Sequence, residues 1–66
     1  MFEIRVNGEL RRVTGGTVQD VLGQLGVEAE ALLVEHNGVA LHRREWMACD
    51  VSAGDVLELV RIVAGG

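Results

Sequence analysis

The residues of this 66-residue chain whose type and position best suit chemistry are the last two, Gly65 and Gly66. Glycine makes up about 7% of an average protein, so a terminal pair arises by chance in roughly one chain in 200. The pair gains meaning from what precedes it, since an apolar strand-like run, Val56 to Val63, leads straight into Ala64-Gly65-Gly66. The expectation is a domain over residues 1–63 with a flexible arm, 64–66, carrying a carboxylate at Gly66. A carboxylate is a weak electrophile until one of its oxygens becomes a leaving group, which adenylation by ATP accomplishes. Gly65 and Gly66 suit entry into a foreign nucleotide pocket. Without Cβ atoms they can thread a narrow channel and adopt φ angles closed to other residues.

Other reactive side chains weigh less. Cys49 has no basic neighbour in sequence except across a loop, and Asp50 beside it would raise its pKa, so a structural cysteine is expected. His36, His42 and Cys49 lack zinc-site spacing and no metal site is expected; both histidines read as surface residues. Trp46 is the one large aromatic besides Phe2 and reads as core. Arg43-Arg44 reads as a solvated pair. No pair of carboxylates, nucleophile–base pair or ligand cluster can be assembled, which argues against an autonomous enzyme.

Size and charge point the same way. A 66-residue domain buries only about 60% of the surface its unfolded chain exposes, leaving little room for a supported catalytic cleft. Six basic residues against ten acidic ones give a net charge of -4, the wrong sign for a phosphate backbone, so nucleic acid is not an expected partner. One cysteine excludes an internal disulfide, and no apolar run approaches the roughly 20 residues of a membrane span. The MFEIRVNG start lacks an export signal, and a cytoplasmic location is expected.

The elements that must position the tail follow from periodicity. Phe2, Ile4 and Val6 alternate with polar residues as a half-buried strand, and Asn7-Gly8 turns it into a partner over Glu9 to Val13. Thr17 is placed to cap a helix bearing Val18, Val21, Leu22 and Leu25 on one stripe, with Gly26 as its stop. Gly23 inside it costs about 1 kcal/mol relative to Ala, so that helix must rely on packing. Ala31 to Glu35 and Val39 to Leu41 form a second hairpin about Asn37-Gly38, residues 42–55 read as irregular, and Ser52 to Asp55 make a turn. In the final strand Leu57 and Leu59 share one face; Glu58, Val60 and Ile62 share the other. If Glu58 faces water, Val60 and Ile62 are exposed apolar residues beside the tail and a candidate partner surface.

Taken with the length, the Asn-Gly hairpins, the end GDVLELVRIVAGG (Gly54 to Gly66) and the stretch ALHRREW (Ala40 to Trp46), the chain resembles the ThiS sulfur carriers of thiamine biosynthesis. The resemblance spans nearly the whole chain, with Arg43 and Trp46 matching the family's Arg-x-x-Trp; His42 stands where the family often has proline. It implies an α+β, ubiquitin-like β-grasp fold, a mixed four- to five-stranded sheet packed on one main helix. It further implies a ThiF-type adenylating enzyme that uses Mg-ATP on Gly66, a persulfide sulfur donor that displaces AMP to leave a thiocarboxylate, and a ThiG-type thiazole synthase that receives the sulfur. The carrier is then not a catalyst and binds no cofactor itself; Gly65, Gly66, Val60 and Ile62 face the partners. A MoaD-like carrier of molybdopterin synthesis, a carrier for cysteine synthesis, and a β-grasp module that binds a protein or RNA without covalent chemistry remain alternatives.

Overall fold

A computed structural model describes residues 1–28 and 30–62. The expected arm at 64–66, with Gly65 and Gly66, lies outside them, as does Val63. The chain runs β1 (Phe2–Val6), β2 (Glu9–Val13), β3 (Gly16–Thr17), α1 (Val18–Gln24), β4 (Leu32–His36), β5 (Val39–Leu41), a 3-10 turn (Arg43–Glu45), β6 (Asp50–Val51) and β7 (Val56–Arg61). Five strands form one mixed sheet in the order β2-β1-β7-β4-β5, and β3 pairs with β6 in a separate two-residue ribbon. Strand β7 is central, parallel to β1 and antiparallel to β4.

Alternation along the strands sends Ile4, Val6, Val34 and Leu57 to one face, where they meet Val18, Val21 and Leu22 of the helix. Val13, Val51 and Trp46 complete this core. The helix is short but well ended. Thr17 and Asp20 form a reciprocal capping box, and Asp20 Oδ2 accepts from Thr17 N at 3.0 Å. At the other end Gly26 (φ 72) closes a Schellman motif, with Val27 N–H donating to Leu22 O and Gly26 N–H to Gly23 O.

The segment 42–55, expected to be irregular, contains the 3-10 turn and β6. Val18 N–H donates to Cys49 O and Gln19 N–H to Trp46 O, so this segment straps the helix N-terminus and seats Trp46 in the core at 1% exposure. A two-residue strand has no readable period, and its pairing with Gly16-Thr17 was invisible in sequence. The second hairpin is shifted by one residue from the expected Ala31 start, because Ala31 adopts φ 52 and its carbonyl accepts from Ile62 N–H.

Both hairpin asparagines do more than turn. Asn7 (φ 50) and Asn37 (φ 51) take the left-handed conformation that the two-residue turns require. Along the β1 side of β7, Asp55 O accepts from Arg5 N–H and Leu57 O from Asn7 N–H. The backbone then turns away, and the Asn7 side chain makes the next rung: Nδ2 donates to Leu59 O at 3.1 Å and Oδ1 accepts from Leu59 N–H at 2.7 Å. On the β4 side, Asn37 Oδ1 likewise accepts from Val56 N–H at 2.8 Å. The strand from which residues 63–66 continue is thus held on both edges by side chains as well as by the ladder.

Candidate functional site

The face of the sheet turned away from the helix carries the expected surface. Val60 and Ile62 are 56% and 48% exposed. Leu33, which sequence reasoning left unassigned, lies directly across from Val60 and is 53% exposed, so three apolar side chains form one patch at the tail end of β7. Its signal was present in the alternation of β4, where Val34 points inward and Leu33 and Glu35 must point out. Glu35 pairs with Glu58 on the same open face. Like charges directly opposite repel.

A cleft of about 220 Å³ lies between Gln19, Leu22, Gly23, Val27, Arg43 and Trp46, below the roughly 300 Å³ at which ligand pockets begin. The Arg43 guanidinium sits 5.7 Å from the centroid of the Trp46 ring and shields it. Among the described residues no group of three or more His, Cys, Asp or Glu is placed to hold a metal ion. No helix there is long and apolar enough to cross a membrane.

One constellation departs from the sequence reading. His36, expected at the surface, has a side chain only 16% exposed, because it continues the inward alternation of β4. Its Nε2 lies 2.7 Å from Asp55 Oδ2 and its Nδ1 3.3 Å from Cys49 Sγ. His42 is exposed as expected. Burial alone would push the Asp55 carboxyl up, but hydrogen bonds from Ser52 N–H, His36 and Asn37, with the His36 charge, hold it below the usual carboxylate range. Burial pushes the Cys49 thiol up, and the carboxylates of Asp50, Asp55 and Glu45 add to it, in keeping with the expected effect of Asp50.

A mixed five-stranded sheet gripping one helix, with a central last strand and an apolar patch beside its end, defines a β-grasp domain of the ubiquitin-like class. The crystal structure of the thiamine biosynthesis protein (ThiS) from Geobacter metallireducens superimposes with a TM-score of 0.85 at 33% identity, covering 98% of this chain and all 100% of that one. The NMR solution structure of a thiamine biosynthesis protein from the same organism gives 0.76 at 30% identity, over 98% of this chain and 88% of that chain. The model of the ThiS family matches residues 4–66, and the chain belongs to that family. It is 36% identical over 61 residues to the sulfur carrier protein ThiS of Thermus thermophilus, covering 92% of this chain and 95% of that protein. It is also 36% identical over 66 residues to a thiazole synthase of Paramagnetospirillum magneticum, covering 98% of this chain; the chain spans only 20% of that protein's length.

Proposed function

We propose that this protein is the sulfur carrier for thiazole formation in thiamine biosynthesis, and that Gly66 is the residue that carries the sulfur. The observation that supports this most is the family match, which runs through to Gly66 on a fold whose central strand leads into the Gly-Gly segment. A ThiF-type enzyme uses Mg-ATP to convert the Gly66 carboxylate to an acyl-adenylate; AMP is the leaving group. The outer sulfur of a persulfide donor displaces AMP to give an acyl disulfide. A second thiol then cleaves its S–S bond, leaving as a disulfide with the donor and releasing the thiocarboxylate, which a ThiG-type thiazole synthase consumes. The likeness to a thiazole synthase supports that recipient. Gly65 lies in the enzyme's channel, and Val60 and Ile62, with Leu33, dock against the partners. The domain is a handle and recognition surface, is not itself a catalyst, binds no cofactor, and works in the cytoplasm.

Incubation with a ThiF-type enzyme, Mg-ATP, a persulfide donor and a thiol reductant tests this by intact mass. Exchange of one oxygen for sulfur adds about 16 Da, the signature of the displacement. The gain should localise to the C-terminal peptide and vanish when Gly66 is deleted or followed by one extra residue. An unchanged mass with an enzyme that modifies another ThiS protein under the same conditions refutes the assignment.

A further inference from the structure

The trio Cys49, His36 and Asp55 takes no part in the chemistry above. It lies where β4 ends and β7 begins: His36 pairs with Leu57, whereas Leu32, beside the apolar patch, pairs with Arg61. Four residues at about 3.3 Å each put roughly 13 Å between those two ends of the sheet. Three elements of the fold meet there: β4 supplies His36, the strap before β6 supplies Cys49, and the turn before β7 supplies Asp55.

The geometry dictates the roles. An ionised carboxylate only accepts, so the 2.7 Å contact to Asp55 Oδ2 requires the proton on His36 Nε2. In the neutral ring Nδ1 is then a bare acceptor, and the group before it at 3.3 Å is the Cys49 thiol, as donor. A nucleophile within reach of a base, and a base oriented by a third group, is the arrangement that activates a thiol. We propose that Cys49 is a thiol–disulfide exchange site, with His36 as its base and Asp55 as the positioning residue that selects the tautomer. Burial and the carboxylates of Glu45, Asp50 and Asp55 keep the resting sulfur protonated, so the proton must leave as the new bond forms. His36 Nδ1 takes it while Sγ attacks one sulfur of a disulfide. The Sγ–S bond forms, the S–S bond breaks, and the departing thiolate leaves as a thiol after recovering the proton from the imidazolium. The disulfide is itself the oxidant, and Cys49 ends as a mixed disulfide.

Because Cys49 is the chain's only cysteine, reaction with dithiobis-nitrobenzoate reads this site alone. The rate is followed from about pH 5 to pH 9 on the folded wild type, on the same protein unfolded in guanidinium, and on His36→Gln. With His36 as base, the folded profile has a first rise that depends on His36 and a second as the thiol ionises; the unfolded chain shows the thiol rise alone. His36→Gln, while folded by circular dichroism, should lose the first rise and react at least tenfold more slowly near neutral pH, the low side of the usual general-base effect. A folded wild-type profile with only the thiol rise overturns the proposal without recourse to any variant. Equal or faster reaction of folded His36→Gln overturns it as well, since the contact would then merely restrain the thiol.

Discussion

Replacing Asn7 by Gly separates the two roles this residue plays. Glycine adopts φ 50 at no cost, so the turn survives, but the two side-chain bonds to Leu59, at 2.7 and 3.1 Å, are lost. Each such bond contributes about 1 kcal/mol net, and Asn7 is exposed enough for water to replace part of it, so the expected loss is about 1–2 kcal/mol. With a urea slope of about 1 kcal/mol/M for so small a domain, the unfolding midpoint should fall by about 1–2 M. Amide exchange gives the residue-level check: the Leu59 N–H should exchange about 5–30 times faster, the equivalent of that free energy. Asn7→Asp keeps the acceptor for Leu59 N–H and loses only the donor, so it should retain most of the Leu59 protection and cost less. An Asn7→Gly midpoint within about 0.3 M of wild type, with Leu59 protection unchanged, would refute the view that a turn side chain completes the edge of β7.

Two further outcomes follow from the same geometry. Val60→Asp, at a position 56% exposed, should change stability by less than about 0.5 kcal/mol, yet place a third acid beside Glu58 and Glu35 on the apolar patch proposed to dock the adenylating enzyme. Steady-state adenylation should then show a KM for the carrier raised about tenfold with kcat little changed, the pattern of lost uniform binding; an unaltered KM removes Val60 from the interface. The lowered Asp55 pKa predicts stability that is present above the unfolded carboxylate pKa of about 4 and is lost as pH falls through the lower folded value. Urea midpoints measured from neutral pH down to about pH 2 should therefore decline less steeply in Asp55→Asn than in wild type, and parallel curves would contradict the shift.

The sequence by itself determined the elements with a strong local cause. Asn7-Gly8 and Asn37-Gly38 demand φ above zero, Thr17 and Asp20 mark a helix start, and Gly26 marks its stop; each appears within a residue of expectation. The inward Leu57 and outward Val60 and Ile62 were readable because a strand's period of two leaves only two choices of face. The family match runs through to Gly66, while the roles proposed for Gly65 and Gly66 rest on residues outside those described. Tertiary structure alone decided which strands are neighbours, since pairing β1 with β7 joins residues some fifty positions apart and no local period encodes that choice. For the same reason it alone placed Leu33 opposite Val60, handed the Asn7 side chain to Leu59, and brought His36, Cys49 and Asp55 from three separate segments into contact. Periodicity reports which way a side chain points; only the packed chain decides what it meets there.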